Sequence, residues 1–139
     1  MEDNQILSAT ATIGREHYAT RLQARTHVLT GDEPAEVGGT DTGPRPGDFV
    51  RMALASCQAI TLRMYADRKQ YPVEQIMVTV SNGPSDGKTT YTSDIVVTGA
   101  LTADEQQRMI QVARRCPVHK ILTNPIEILT NFSIRSAQL

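Results

Sequence analysis

Tryptophan is absent from this 139-residue chain, and only six residues are aromatic, four tyrosines and two phenylalanines. Large rings usually supply much of the area that a core buries. A core made mainly of small aliphatic side chains is thin for a chain of this length, so we expect a second copy to supply further buried surface. We therefore predict a homodimer of single-domain chains, in which each domain spans residues 1–139.

Excess charge of one sign and long apolar runs are absent as well. Fourteen basic and fifteen acidic residues leave a formal net charge of -1, which argues against nucleic acid as the partner because proteins that bind it are usually basic. No apolar run approaches the roughly 20 residues that a membrane-spanning helix needs. The acidic beginning, MEDNQILSAT, has no apolar segment of the kind found in signal peptides. We expect a cytoplasmic protein that binds neither nucleic acid nor a membrane.

Cysteine is scarce too, since the sequence contains two cysteines, Cys57 and Cys116. Their spacing fits no zinc-binding template, so we predict no metal site, and we expect no cofactor. In a reducing cytoplasm, two cysteines are more often free thiols or a redox pair than a structural disulfide. The two thiols are therefore the first candidates for chemistry.

One long segment dominates the residues that are present. Pro46–Lys69 contains no proline or glycine after its first two positions, and its apolar residues recur at helical spacing. The pattern predicts a central helix with Asp48 in the first turn and cations in the last turn, as the helix dipole favours. Cys57 falls in mid-helix on the stripe that we expect to be buried. That stripe consists of Val50, Ala53, Leu54, Cys57, Ile60, Thr61 and Met64.

Strand patterns precede this helix. Alternating residues predict strands over residues 5–13 and 17–30, paired as a hairpin, and the polar face of the second strand carries Arg21 and Arg25. The connection over residues 31–47 holds five glycines and three prolines, and we expect an ordered loop that packs across a site. Its glycine pairs lack the lysine and hydroxyl residue of a phosphate-binding loop, so we do not expect nucleotide binding.

The second half of the chain predicts a hairpin, two helices and a strand. A capping box of Thr102 and Glu105 begins the first of these helices, and Cys116 is placed as the N-cap of the second. Hairpins with the helices set between them indicate an α+β fold with antiparallel sheet. The expected elements are strands over residues 75–81 and 88–98 with a turn over 82–87, a helix to about Arg115, a short helix from Pro117, and a last strand over Ile126–Ile134.

The local surroundings of the two thiols favour Cys116 as the more acidic one. A thiol attacks as the thiolate, so the surroundings that stabilise the thiolate matter. Cys116 lies at the positive end of a helix with His119 and Lys120 within one turn, whereas burial on an apolar helix face disfavours a thiolate on Cys57. A small core residue is the alternative interpretation of Cys57.

Two segments carry a resemblance to a known family. GGTDTGPRPGDFVRMALASCQAITLRMYADRK and, further on, ARRCPVHKIL resemble the OsmC/Ohr family of osmotically inducible and organic hydroperoxide resistance proteins, over the chain from about His27 to the end. The resemblance implies an intertwined homodimer in which sheets wrap around two central helices. It also implies a thiol peroxidase in which Cys57 attacks the peroxide and Cys116 resolves the sulfenic acid as a disulfide. This order reverses the one that the local surroundings favour.

The same resemblance implies the rest of the site. Asp48 matches the family's acidic position, where a glutamate one methylene longer orients an arginine on the attacking thiolate. We expect Arg25 or Arg21 in the arginine role, with Arg45 in the loop as the third candidate. The reductant is expected to be a dithiol, and a lipoyl-type dithiol is one candidate. The apolar side chains expected to line a pocket for an organic hydroperoxide are Met52, Leu54, Ile60 and Met64.

Three functions are compatible with these thiols and this pocket. The first is a thiol-dependent hydroperoxide reductase in oxidative-stress defence, a Cys-based peroxidase with peroxiredoxin-type activity. The second is a non-enzymatic protein that binds small molecules, and the third is a redox sensor whose cysteine pair forms a disulfide without turnover. All three use the same residues, so a measurement of peroxide consumption has to separate them.

Overall fold

The computed structural model describes residues 5–137. Within them the chain forms three α-helices, five strands and one 3-10 turn. This combination of helices with antiparallel hairpins is the predicted α+β class. In chain order the elements are β1 (Thr10–Thr12), β2 (Thr20–Ala24), β3 (His27–Gly31), the 3-10 turn (Ala35–Val37), α1 (Pro46–Lys69), β4 (Val73–Ser81), β5 (Thr92–Gly99), α2 (Ala103–Ala113) and α3 (Pro117–Thr123).

The described residues divide into two compact units. The first contains residues 5–55 with Thr79–Ser93, and the second contains Ser56–Val78 with residues 94–137. Helix α1 and both strands of the β4–β5 sheet therefore contribute residues to each unit. None of the helices in residues 5–137 is long and apolar enough to span a membrane.

The first unit is built on the sheet β1–β2–β3, in which both pairs of strands are antiparallel. Ala24 pairs with His27 at the end of the β2–β3 ladder, so Arg25 and Thr26 form a two-residue turn. Arg25 has a φ of 55°, in the left-handed region that tight hairpin turns use. The prediction of one strand over residues 17–30 is therefore wrong, and Arg25 lies at a turn instead of on a strand face.

The connection between β3 and α1 is organised by one buried carboxylate, Asp32. The backbone N–H groups of Tyr18 and Thr42 donate to it at 3.2 and 3.0 Å, and those of Glu33 and Thr40 donate at 2.7 and 3.4 Å. The hydroxyls of Thr40 and Thr42 donate to it as well. The Thr40 hydroxyl is the largest of the causes that hold the pKa of Asp32 well below its usual range, against the effect of burial. An ionised carboxylate thus orders a loop that has little regular secondary structure.

Two glycines let this loop pack closely against neighbouring backbone. A Cβ atom on Gly39 would lie 2.0 Å from the carbonyl oxygen of Glu33, and one on Gly43 would lie 2.2 Å from that of Thr30. Both neighbours are backbone atoms that cannot swing aside, so a larger residue at either position would displace the loop.

The core of the second unit forms where α1 packs against α2 and β4. Helix α2 begins with the predicted capping box, in which the Thr102 hydroxyl accepts from the Glu105 N–H at 3.1 Å and the Thr102 N–H donates to Glu105 Oε1 at 3.0 Å. Helix α3 begins, as predicted, with Cys116 as N-cap. The buried side chains of this core contain no rings, in line with the scarcity of aromatic residues in the sequence. They are Leu62, Ala66, Val73, Met109, Val112 and Ala113.

The face of α1 that the chain buries differs from the predicted stripe. Of the predicted residues only Leu54 is buried, Cys57 and Thr61 are half-buried, and the rest are exposed. The prediction is wrong because α1 carries a second line of buried positions at intervals of four, and periodicity does not show which line meets the core of its own chain. The exposed members of the predicted stripe are Val50, Ala53, Ile60 and Met64. The observed buried line is Leu54, Gln58, Leu62 and Ala66.

The predicted last strand over Ile126–Ile134 is wrong for the described part of the chain, where this segment has no regular structure. A strand forms only where a neighbouring strand pairs with its backbone groups, and the two sheets of the described residues include no strand beside this segment. The strand predicted over residues 5–13 is reduced to β1 for the same reason. Strands β4 and β5 and helix α2 differ from prediction only by a few residues at their ends.

Asp32→Asn should lower the free energy of unfolding at neutral pH, because an amide cannot accept from all the donors that face the carboxylate. The folded pKa of Asp32 is depressed, so its stabilisation is fully present above the unfolded value of about 3.9 and is lost as the pH falls through the folded pKa. Urea unfolding should show a clear difference between wild type and variant at about pH 7 and a smaller one at about pH 3.

The matched control is Asp41→Asn, since Asp41 is an exposed carboxylate of the same loop. Its unfolding midpoint should equal that of the wild type at both pH values. Equal midpoints for wild-type and Asp32→Asn protein at neutral pH would show that Asp32 does not organise this loop.

Candidate active site

The second unit brings the two cysteines together. Cys57 lies in the middle of α1, and Cys116 is the N-cap of α3. Both are free thiols, and they lie close enough for the Cys57 side chain to raise the pKa of Cys116. Cys116 is fully buried, whereas Cys57 is half-buried and keeps part of its surface open. The structure therefore places an accessible thiol against one that solvent does not reach.

Local sequence determines where Cys116 lies, and burial determines its acidity. Pro117 occupies the first helical position, and Cys116 Sγ accepts a hydrogen bond from the N–H of His119 at 3.3 Å. Burial is the largest influence and raises the pKa of Cys116, against the N–H of His119, and the hydrogen bond with Cys57 raises it further. The prediction of an acidified Cys116 is therefore wrong, although its place at the N-cap is as predicted.

The protonation of Cys116 follows from this. A thiol with a raised pKa keeps its proton, and the S–H of Cys116 can then donate to the sulfur of Cys57. A hydrogen bond donated to a thiolate stabilises its negative charge. The arrangement thus places a protonated thiol, Cys116, next to the more accessible thiol, Cys57.

A buried amide, on the residue that follows Cys57, connects α1 to the end of α2. Gln58 is 4% exposed, and its Nε2 donates to the carbonyl oxygen of Ala113 at 3.5 Å. Sequence reasoning missed Gln58, because glutamine on a helix is usually exposed. Its position four residues after Leu54 and four before Leu62, both buried, was the available signal.

Asp48 lies in the first turn of α1, as predicted, but it holds an arginine that was not among the candidates. Its Oδ1 accepts from Arg51 Nη2 at 2.6 Å, and its Oδ2 accepts from the backbone N–H of Arg45 at 2.9 Å. The Arg51 hydrogen bond is the largest cause that lowers the pKa of Asp48. Arg51 also donates to Oδ1 of Asn82 at 2.6 Å. The spacing of three residues on one helix could have indicated the pair.

The three arginines predicted to serve the thiolate all lie in the first unit, in different surroundings. Arg21 donates to Gln23 at 2.8 Å, and Arg45 forms an ion pair with Glu33 at 3.2 Å. Arg25 lies at the exposed β2–β3 turn, and no hydrogen bond or ion pair ties its guanidinium to another residue of the described chain. Among these three arginines, Arg25 is the one whose guanidinium forms no hydrogen bond or ion pair with another described residue.

The four side chains predicted to line a substrate pocket do not share one environment. Leu54 is buried, whereas Met52, Ile60 and Met64 are 44%, 53% and 63% exposed. In the single chain these three side chains are open to solvent along α1.

Two apolar cavities lie elsewhere, one in each unit. The first has a volume of about 590 Å³ and lies beside the β1–β2–β3 sheet, with Leu22, Pro46 and Phe49 in its lining. The second has a volume of about 350 Å³ and includes Leu62, Ile95 and Met109. Neither cavity is lined by a cysteine.

Comparison with known proteins bears on both the fold and the thiols. A family model described as OsmC-like protein matches residues 39–131, a range that includes Cys57 and Cys116. The comparison with curated proteins gave no match.

Solved structures share the architecture. An OsmC-like protein from Mycoplasma pneumoniae has a TM-score of 0.71 at 19% identity, covering 86% of this chain and 89% of that one. An organic hydroperoxide resistance protein from Elizabethkingia anophelis has a TM-score of 0.64 at 20% identity, covering 91% and 94%. An organic hydroperoxide resistance protein OsmC from Legionella pneumophila has a TM-score of 0.56 at 20% identity, covering 88% and 92%. At these identities the likeness establishes the fold.

The family match extends over most of the chain and over both thiols, and the solved structures show the same fold along nearly the whole length of each chain. This confirms the resemblance found in the sequence, and the chain belongs to the OsmC/Ohr family.

Proposed function

We propose that this chain is a thiol-dependent reductase of organic hydroperoxides that works through Cys57 and Cys116. The observation that carries the proposal is that a partly exposed Cys57 lies close to a fully buried Cys116. An attacking thiol has to meet a substrate, whereas a resolving thiol has to meet only the attacking thiol. Relatives named as organic hydroperoxide resistance proteins support the substrate class.

In the first step, the Cys57 thiolate attacks the terminal oxygen of the hydroperoxide. The S–O bond forms as the O–O bond breaks, so two electrons pass from sulfur to the peroxide. Cys57 becomes a sulfenic acid, and the departing alkoxide takes up a proton to leave as the alcohol. Before the attack, the S–H of Cys116 stabilises the thiolate by donating to it.

In the second step, the sulfur of Cys116 attacks the sulfur of the Cys57 sulfenic acid. The S–S bond forms as the S–O bond breaks, and the departing hydroxide leaves as water with the proton of Cys116. An external dithiol, for which a lipoyl-type dithiol is the candidate, then reduces the disulfide by exchange and restores both thiols. No cofactor takes part in this scheme.

A guanidinium completes the proposed site. We assign this role to Arg25 because the charges of Arg21 and Arg45 are held by other side chains. Asp48 is assigned to the start of α1, which it stabilises through Arg51 and the backbone of Arg45. A hydrogen bond to a charged group contributes about 1.5–3 kcal/mol, which corresponds to about 10- to 100-fold in rate.

The proposed active form is a homodimer in which α1 of one chain packs against α1 of the other. The exposed apolar residues Ile60 and Met64 follow Cys57 along α1, and apolar side chains of residues 126–134 are exposed as well. Burying apolar area contributes about 25 cal/mol per Å², so a second chain would stabilise these surfaces. It would also enclose Cys57 among the apolar side chains expected to bind an organic hydroperoxide.

Binding of an apolar small molecule without turnover is a second candidate function. The 590 Å³ cavity of the first unit has the size of a small-molecule site, and its lining is mainly apolar. Because it contains neither thiol, such binding would persist when both cysteines are replaced.

Replacement of each cysteine should separate the two roles. Cys57→Ser should abolish the consumption of cumene hydroperoxide in the presence of a dithiol. Cys116→Ser should consume about one equivalent and stop at a sulfenic acid on Cys57, because the first thiol reacts without the second. Peroxide assays with mass spectrometry of the two peptides check both outcomes. Exchanged phenotypes would assign the attack to Cys116, and full turnover in both variants would remove the thiol mechanism.

The same assay, limited to the first turnover, tests the guanidinium. Arg25→Met should slow the reaction of Cys57 by about 10- to 100-fold. Arg21→Met is the matched control on the same hairpin and should keep the wild-type rate. A wild-type rate in both variants would show that neither arginine of this hairpin stabilises the thiolate.

Sedimentation should show a dimer at low micromolar concentration, and Ile60→Glu should shift it toward monomer, because a buried unpaired carboxylate opposes association. Ile110→Glu is the matched control, since Ile110 is an isoleucine of similar exposure on α2. It should remain a dimer. A folded wild-type monomer at this concentration would contradict the proposed dimer.

A further inference from the structure

A buried glutamine connects the two elements that carry the thiols. Gln58 follows Cys57 on α1, and its side chain lies within the second unit, where it is 4% exposed. Its Nε2 donates to the carbonyl oxygen of Ala113 at 3.5 Å. Ala113 is the last residue of α2, and carbonyl groups in the last turn of a helix lack intrahelical partners. The amide therefore joins α1 to the C-terminal end of α2.

Packing alone does not require an amide at this position. The residues four before and four after it, Leu54 and Leu62, are buried and aliphatic. Gln58 Oε1 is buried and has no hydrogen-bond partner among residues 5–137. A buried acceptor without a donor is destabilising, and methionine would fill a similar volume without adding one. The presence of glutamine points to a role beyond filling the core.

The place of Ala113 in the chain indicates what the amide controls. Helix α2 ends at Ala113, residues Arg114 and Arg115 connect the helices, and Cys116 begins α3. The hydrogen bond from Gln58 holds one end of this short connection, and Cys116 at the other end lies close to Cys57. Adjacent residues of α1 thus contact both ends of the segment that carries the second thiol.

We infer that Gln58 is a positioning residue that holds Cys116 against Cys57 for disulfide formation. The inference rests on the proposed two-cysteine function and adds the residue that governs its second step. A disulfide forms only within a narrow range of distances and dihedral angles. A loosened α2–α3 connection would therefore slow the closure of the S–S bond and leave the attack by Cys57 unchanged.

The test separates disulfide closure from peroxide chemistry. Reduced protein is mixed with dipyridyl disulfide, and the Cys57 thiolate forms a mixed disulfide and releases one coloured pyridinethione. Cys116 then attacks the Cys57 sulfur, and the second pyridinethione leaves as the S–S bond closes. The two releases report the two cysteines in turn, and no hydroperoxide is involved. A failure of the proposed peroxidase activity would leave this measurement unaffected.

Gln58→Met should slow the second release by about three- to tenfold, as expected for one lost hydrogen bond, and should leave the first release unchanged. Gln58→Asn keeps an amide that is too short to reach Ala113, so it should slow the second release to a similar extent. Gln106→Met is the matched control, since Gln106 Nε2 donates to the carbonyl oxygen of Leu101 at 3.3 Å. It should leave both releases unchanged.

Two results would overturn the inference. The first is a second release at the wild-type rate in both Gln58 variants. The second is a change of both releases in proportion to a lowered unfolding midpoint, which would assign Gln58 to stability alone. If Gln58→Met does not fold, Gln58→Asn decides between these outcomes.

Discussion

The close approach of Cys116 to Cys57 is the interaction on which the site depends. It exists because a short connection after α2 places Cys116, as an N-cap, against the middle of α1. Burial keeps the proton on Cys116 in spite of the N–H that His119 donates to its sulfur. Burial thus leaves Cys116 with a proton that its sulfur can donate, and it keeps solvent away from this thiol.

Helix α1 has one side that is buried in the chain and another side that is exposed. Its line from Leu54 to Ala66 is buried in the chain, whereas Ile60 and Met64 are exposed. Cys57 lies at the border between the two sides and is half-buried. In the proposed dimer, this thiol has its own helix behind it, and the second chain shapes the pocket in front of it. The position of the thiol thus connects the core of one chain to the proposed dimer.

Elements with strong local signals are predictable from this sequence. Helix α1 begins and ends at the predicted residues, the capping box of α2 is present, and Cys116 is the N-cap of α3. Contacts between distant residues are not predictable, because a pattern shows that a side chain is apolar or charged and does not show its partner. The hydrogen bonds around Asp32, the amide of Gln58 and the unpaired segment over residues 126–134 all depend on such contacts. The acidity of Cys116 is wrong in the prediction for a related reason, since burial comes from tertiary packing and outweighs the local helix end.

Titration of Cys116 by itself tests most directly the proposal that this thiol keeps its proton and that Cys57 is the attacking thiol. In Cys57→Ser protein, the ultraviolet absorbance of the thiolate reports the ionisation of Cys116. We predict that the absorbance rises only above the ordinary thiol pKa of about 8.5, because burial of Cys116 persists when a hydroxyl replaces the Cys57 thiol. A Cys116 thiolate already formed at neutral pH would contradict this order of reaction, since the helix N-terminus would then outweigh burial and Cys116 would be the attacking thiol.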